Sequence, residues 1–530
     1  MVSAAALSNS KPPGGEQVEK QFDFIVVSNR LPVEANPAGG AQWTSSPGGL
    51  VSALRPVISE AGGAWVGWAG KPSPPAGTGG GGRSSYRPWS QDENVPGWAD
   101  TGQLQVVAEE QAPLAVPGGD LDNERVHALP VLLDAEEVRA YYEGFCNATL
   151  WPLYHDVVAP PVYSRRWWHA YVEVNQRFSA AVAAHAAPGA TVWVHDYHLQ
   201  LMPAMLRGLR DDLEIGFFNH IPFPALDLFS QLPWRSEIVQ GLLGADLVGF
   251  QTPDGAINFL RACRRFNGFR TQGSLVHVVR RGGEQRTARV GAFPISVDAR
   301  ELSKLAESPH VRRRARQIRE DLGQPEVVLL GVDRLDYTKG LLHRLRAYGE
   351  LLAEKQLGPP DAVLVQIASP SRGEVEQYKK LREELERVVG AINGDYSAVG
   401  RPAVHYLHQS FPQEEMAAMY LAADVALVTP LRDGMNLVAK EYVCCRPDGG
   451  GRLVLSELTG AARELREAWI VNPHDIDTMK SQVMAAVSAG HEEAAWRMRR
   501  MRRRIFAHDV HRWASEFLGA LMMASQERTG

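Results

Sequence analysis

A chain of 530 residues that is 45% hydrophobic and 22% charged has ordinary globular composition and is too long for one hydrophobic core, so two lobes are expected. Its net charge of −5 supplies no basic field for nucleic acid. Four cysteines (Cys146, Cys263, Cys444, Cys445) show neither metal-ligand spacing nor the density of a disulfide scaffold, and no run of about 18 uninterrupted apolar residues occurs. The expectation is a cytoplasmic chain without a membrane span.

Residues 1–21 form an extension that lacks the apolar stretch of a secretory signal. Beyond it, apolar runs ending in turn residues alternate with helical patterns. The runs are FDFIVVSNR (22–30), ATVWVHDYH (190–198), LEIGFFNHIPFP (213–224) and ADLVGFQT (245–252), then EVVLLGVDRLDY (326–337), AVLVQIASPS (362–371) and DVALVTPLRDG (424–434). Strands alternating with helices predict parallel sheets, and two such series predict two α/β lobes. VGAFPISVD (290–298) is the crossing point, which puts the boundary near Pro294 and the lobes at 22–294 and 295–504. KPSPPAGTGGGGR (71–83) is too rich in Gly and Pro to bury apolar surface and reads as a mobile loop. The arginines from Arg497 to Arg504 cover much of a helix circumference and read as a solvated helix; Asp475 in HDIDTM reads as a helix cap.

Parallel sheets gather functional groups at the carboxyl ends of their strands. His195, Asp196, His220, Arg334 and Asp433 fall there. After Arg432 and Asp433, Gly434 permits a tight turn, and the N–H groups of Met435, Asn436 and Leu437 would open a helix whose positive end suits a phosphate or a sugar oxygen. Glu441, one turn further, suits neutral hydroxyls such as a ribose diol. Asp433 either accepts from sugar hydroxyls or caps the helix. Arg334 and Lys339 lie five apart across a turn, so two cations can converge on a diphosphate, as a metal does elsewhere; Asp336 orients Arg334 or is a plain ion-pair partner. A lysine here is also compatible with pyridoxal phosphate, but nothing singles that out. The first half adds Arg30, the Gly48-Gly49 pair, Asp196 and His220. The spacing of His195, Asp196 and His198 fits a zinc site poorly, so neither metal nor cofactor is expected.

Taken together and in order, VVSNRLPV, SPGGL, WVHDYHL, GFFNHIPFP, GFQT, DRLDYTKG, SRGEV, INGDY and TPLRDGMNLVAKEYV resemble the trehalose-6-phosphate synthases, retaining glycosyltransferases of the GT-B architecture with two Rossmann-like domains facing across a cleft. The resemblance spans about Phe22 to Trp513. It implies a donor loop at the opening of the 437 helix, a diphosphate site at Arg334 and Lys339, and glucose contacts from Asp433 and the Gly434–Leu437 backbone. It further implies that Glu441 holds the ribose, that Gly48 and Gly49 close over the donor, and that a terminal helix over 505–530 packs back on the first lobe. Asp196 and His220 would meet the two sugars near the reacting carbon, with His220 directing the donor's 6-hydroxyl region.

The implied acceptor is glucose 6-phosphate, held by Arg30, Tyr142, Trp151, Asp196 and Arg372, and the implied donor is a nucleotide-glucose. Ile367 and Phe411 would sandwich its base, UDP by default and GDP as the alternative. In such a reaction the leaving phosphate itself takes the acceptor proton. The competing readings are a sister transferase with another acceptor and a non-catalytic sugar-phosphate sensor on the same fold; the partners expected are the two small-molecule substrates, with self-association into a homo-oligomer left open.

Overall fold

The run FDFIVVSNR shows in miniature how this chain organises itself. In the computed structural model, which describes residues 21–35, 43–45, 51, 54, 58–59, 62–70, 72, 114–115, 127–279, 285–373 and 375–528, it is a single strand, Phe22–Arg30. From Phe24 onward its side chains alternate between faces: Ile25 and Val27 enter one apolar cluster, Phe24 and Val26 the other, the period of two that a strand buried on both sides requires, while a register shift between Phe22 and Phe24 returns Phe22 to the first cluster. Parallel neighbours flank it, Ala64–Trp68 on one side and Ala186–His195 on the other.

Seven strands of this first sheet are mutually parallel. Numbered in chain order, they are Phe22–Arg30, Ala64–Trp68, His127–Pro130, Ala186–His195, Glu214–Asn219, Leu247–Phe250 and Gln285–Ala292, and they lie 3-2-1-4-5-6-7. Antiparallel strands close both edges. The second sheet is wholly parallel: Val327–Arg334, Ala362–Ser369, Val404–Leu407, Val425–Val428, Arg452–Ser456 and Trp469–Val471 lie 3-2-1-4-5-6. Each sheet therefore reverses its strand order once, between its first and fourth strands, and that reversal opens a crevice at the carboxyl ends where doubly wound sheets bind ligands. Arg30 and His195 end the strands at one reversal; Arg334 ends a strand at the other, and Thr429 follows its neighbour.

The chain leaves the first sheet at Ala292 and enters the second at Val327. In between, Ile295 is held from both sides: its N–H donates to Gln251 Oε1 at 2.9 Å and its carbonyl accepts from Lys440 Nζ at 2.8 Å. The final helix, Val510–Arg528, returns to the first sheet. Phe517 lies over Gly216 and Gly249 on adjacent strands, where an added Cβ would come within 2.8 Å and 2.7 Å of its ring, and it stacks on Trp193 at 4.7 Å. The absent side chains make the groove that receives it.

Asp475 caps the helix Ile476–Ser488 as its spacing suggests. The arginine helix His491–Ala507 is less solvated than expected, because Arg500 and Arg504 both pair with Glu467 while Arg502 donates to the Cys444 carbonyl. All four cysteines are buried and unpaired, and among the described residues no helix is long and apolar enough to cross a membrane. Gly48, Gly49, residues 1–20 and most of the 71–83 stretch lie outside the described residues.

Phe517→Ala removes a fully buried ring from this groove and is expected to destabilise the protein by about 3–5 kcal/mol, read as a lowered urea midpoint. Comparable resistance to urea would mean that the terminal helix is not anchored through Phe517.

Candidate active site

The helical segment after the third strand carries the first lobe's contribution. Asp134 caps its start, and a π-helix from Val138 to Leu150 runs on into Trp151–Tyr154. The wider turn of a π-helix is a local irregularity that often marks functional ground. Tyr142 lies on this segment beside Arg30, whose guanidinium sits 4.4 Å from the Trp68 ring and 5.6 Å from the Tyr142 ring. Burial alone would push the Tyr142 phenol up, yet the guanidiniums of Arg372, Arg30 and Arg334 together hold it below its usual value. Three cations from both lobes therefore bear on one small volume.

Arg372 comes from the second lobe and is almost fully buried. It pairs with Asp336 at 3.0 Å, donates to the Tyr197 hydroxyl at 3.1 Å and stacks 3.7 Å from the Trp151 ring centroid. Its Nε is buried and meets no hydrogen-bond partner among the described residues. Asp336 thus orients Arg372 and not Arg334. Arg334 stands exposed at its strand end, 5.7 Å from the Trp151 ring, and among the described residues it forms no ion pair.

Lys339 does not point at open space. Its Nζ pairs with Asp433 Oδ2 at 2.6 Å, and Asp433 also accepts from Asn436 Nδ2 at 3.1 Å. Asp433 is therefore not the helix cap: Asn436 is, its Oδ1 accepting from the Ala439 N–H at the start of Leu437–Cys444. The left-handed residue of this turn is Asn436, at φ 79°, and Gly434 serves another purpose. A Cβ on Gly434 would sit 2.2 Å from the His220 carbonyl oxygen, so only glycine allows the two lobes to meet here. Met435 is buried and Leu437 packs at the edge of the apolar cluster, leaving the backbone as their polar surface. Glu441 accepts from the Tyr420 hydroxyl at 2.8 Å, and burial pushes its carboxyl up.

Asp196 follows the strand Ala186–His195 with φ 75° and ψ 168°, a region that residues with a side chain enter only under strain. Its Oδ1 accepts from the His220 N–H at 3.1 Å. Burial pushes the carboxyl up to about 6, against the opposing pull of the Tyr197 and His220 N–H groups and the charges of Arg334 and Arg372. His220 faces His195, Nε2 to Nδ1 at 3.0 Å, and burial lowers it to about 3, so it stays neutral.

Ile367 departs from expectation. It is fully buried inside its strand, between Val332 and Leu407 in register, so its side chain belongs to the sheet core and does not sandwich a base. Phe411 is half-buried in the loop before Gln413–Ala422. Sequence reasoning passed over Trp68, Tyr197 and Tyr378, which hold the arginines in place; an aromatic residue that supports a guanidinium has no signature in sequence. Among the described residues no three metal-ligating side chains cluster.

Two Rossmann-like lobes meeting through a cation-lined cleft at their strand ends define the GT-B class of glycosyltransferases. The match to the family model Glycosyltransferase family 20 covers residues 22–523, and the chain belongs to that family. It is 52% identical over 518 residues to the trehalose-6-phosphate synthase of Mycolicibacterium smegmatis, covering 97% of this chain and 95% of the relative. It is 32% identical, with a TM-score of 0.78, to the UDP-forming alpha,alpha-trehalose-phosphate synthase from Burkholderia xenovorans in complex with glucose-6-phosphate, over 94% of this chain and 100% of that one. The E. coli structure bound with UDP-2-fluoro glucose matches at 31% identity and a TM-score of 0.77, over 94% and 98%. The chain is thus a transferase of the trehalose-6-phosphate synthase family.

Asp196 also links function to stability. A carboxyl raised in the folded state opposes folding once it ionises, so the loss sets in as pH rises above about 4, the usual Asp value, and is complete above about 6. Asp196→Asn is therefore expected to raise Tm at pH 7.5 by a degree or more, to lose that advantage at pH 4, and to lower kcat/KM by on the order of 10²-fold. A Tm difference that does not change with pH would contradict the burial account.

Proposed function

We propose that the chain transfers glucose from UDP-glucose to glucose 6-phosphate with retention at the anomeric carbon, giving trehalose 6-phosphate and UDP in the cytoplasm. The observation that carries this reading is the convergence of Arg30, Arg334 and Arg372 on Tyr142 and Trp151, beside the Lys339–Asp433 pair. Two anionic groups need to be held close together, a diphosphate and a sugar phosphate, and guanidinium forks suit both. The relatives crystallised with glucose-6-phosphate and with UDP-2-fluoro glucose support the assignment of the two halves. The lobe boundary proposed for this arrangement is Pro294, with the helix at the chain's end riding on the first lobe.

In this scheme Arg30 and the free Arg372 Nε–H hold the acceptor's 6-phosphate, while Tyr142 and Trp151 wall the acceptor ring. Donor phosphate displaces Asp433 from Lys339. The freed carboxylate then accepts from a glucose hydroxyl, together with the backbone of Gly434 to Leu437, and Glu441 accepts from the ribose diol. Gly48 and Gly49 close over the donor, and Phe411 lies against the base. The bond from the anomeric carbon to the diphosphate oxygen breaks as the acceptor's 1-hydroxyl attacks on the same face, and that hydroxyl's proton passes to the departing oxygen. Arg334, Lys339 and the N–H groups before the Leu437 helix stabilise the charge that develops there, which is the main catalytic term. Asp196 accepts from a sugar hydroxyl near the reacting carbon, and neutral His220 orients the donor ring.

Arg30→Ala is expected to raise the KM for glucose 6-phosphate by about 10-fold or more while leaving that for the nucleotide sugar within about 3-fold. Arg30 is the cleaner test, since removing Arg372 would also strand the Asp336 charge. Equal effects on both substrates would overturn the acceptor assignment.

A panel of UDP-, GDP- and ADP-glucose tests the donor. A base site that pairs polar edges rejects mismatched bases by factors of about 10⁴, so one donor should dominate kcat/KM, and UDP-glucose is the one expected. A preference for GDP-glucose would overturn the donor base alone.

A further inference from the structure

Both ring nitrogens of His220 face protein groups. Nε2 lies 3.0 Å from His195 Nδ1, and Nδ1 lies 3.5 Å from Gln251 Nε2. Which nitrogen carries the proton follows from the far end of Gln251. Its Oε1 accepts from the Ile295 N–H at 2.9 Å, and a backbone N–H can only donate, so the carboxamide cannot turn over without setting two donors against each other. The amide N–H₂ must then face His220, whose Nδ1 has to be the lone pair. A neutral ring with its lone pair on Nδ1 carries its proton on Nε2, which donates to His195 Nδ1.

We propose that Gln251 is a positioning residue that fixes His220 as the Nε2–H tautomer and ties its orientation to the peptide at Ile295 that joins the two lobes. The surroundings make such control matter. Phe218 and Trp513 flank the His220 ring, at 4.7 Å and 6.3 Å between centroids, and burial holds both His220 and His195 neutral, so neither ring carries a charge that would fix the proton on both nitrogens. The choice is left to hydrogen bonding. Ile295 is itself fixed from the second lobe, where fully buried Lys440 donates to its carbonyl at 2.8 Å and pairs with Glu464 at 2.9 Å. The chain of contacts runs from Glu464 through Lys440, Ile295, Gln251 and His220 to His195. A shift at the interlobe peptide therefore reaches the imidazole through a single side chain.

This inference rests on the reading that His220 meets the donor sugar, and its test separates the two. Gln251→Glu keeps the length and shape of the side chain and can still accept from the Ile295 N–H, but it presents an acceptor to His220 Nδ1. The measurement is the ¹⁵N signature of His220 in enzyme labelled at histidine, assigned by its loss in His220→Gln, together with steady-state kinetics. In the parent enzyme Nδ1 is expected in the unprotonated range; in Gln251→Glu it moves to the protonated range, with kcat falling about 10- to 100-fold. Gln251→Met, which has no polar atom to offer, is expected to mix the two tautomers. Unchanged Nδ1 in both variants overturns the proposal. A moved Nδ1 with undiminished kcat upholds the control of the tautomer and overturns the placement of His220 against the donor.

Discussion

The buried carboxylate of Asp336 is the constraint on which the cleft depends. A charge removed from water is costly unless its lone pairs are filled, and here they are: by Arg372 at 3.0 Å, the Tyr378 hydroxyl at 3.2 Å, the Thr338 N–H and hydroxyl, and, from the opposite lobe, Trp151 Nε1 at 3.4 Å. Burial pushes this carboxyl up, but Arg372, Lys339 and Arg334 outweigh it and hold it below the ordinary range. The same carboxylate that closes the turn before Lys339 thus fixes Arg372 flat against Trp151. Without it the three cations that act on it would stand with less charge to offset them. With it they form a field ready for anions before any anion arrives.

Backbone strain recurs in the same place. Of the described residues other than glycine with positive φ, Asp196, Arg372 and Asn436 lie at the candidate site and Asp156 and Val157 follow the Trp151 helix, where Asp156 meets Arg432 across the lobes at 3.1 Å, while Gln324 and Lys355 lie in turns after helices elsewhere. Each such conformation costs on the order of 1–3 kcal/mol and persists only where its surroundings over-determine it. The surroundings do so here: Asp196 is pinned through the His220 N–H, Arg372 through Asp336, and Asn436 through Asp433 and Ala439. Rigid placement of polar groups is what a site needs when stabilising charge is its main task, because groups already in position need not reorganise as the bond breaks.

The sequence displayed those parts of this arrangement that local pattern controls. FDFIVVSNR is a strand from its first residue to its last, and EVVLLGVDRLDY and AVLVQIASPS hold strands that begin and end within three residues of the run, because buried parallel strands are continuous apolar segments bounded by turns. Pairing between distant residues was not legible. Asp336 had two sequence neighbours of opposite charge, Arg334 and Lys339, and chose a third, Arg372, 36 positions away. Asp433 and Asn436 are both competent caps, and the reach of Lys339 to Asp433 decided between them. Ile367 misled because a strand's register, which hides it, is set by Val332 and Leu407 on other strands. Gln251 stood within the motif GFQT without a role attached to it, since a glutamine acquires meaning only from what stands at each end of it.

The division of labour between charged and neutral groups completes the physical account. Burial holds His195, His198 and His220 well below their usual value and lowers His155 to about 4, so around this cleft imidazole is a directional hydrogen-bonding group and not a cation. Positive charge comes instead from guanidinium and ammonium groups, whose ordinary pKa values lie far above neutrality. The positive part of a field built this way does not change as pH varies over the physiological range. A histidine-based field would weaken as its rings lost their protons. The reaction proposed for this cleft asks for no protein base, since the departing phosphate takes the proton, so the histidines are released from acid and base duty. They can then serve orientation alone, and a neutral ring is the better instrument for that: it offers one donor and one acceptor in fixed directions, where an imidazolium would offer two donors and compete with the arginines for the phosphates.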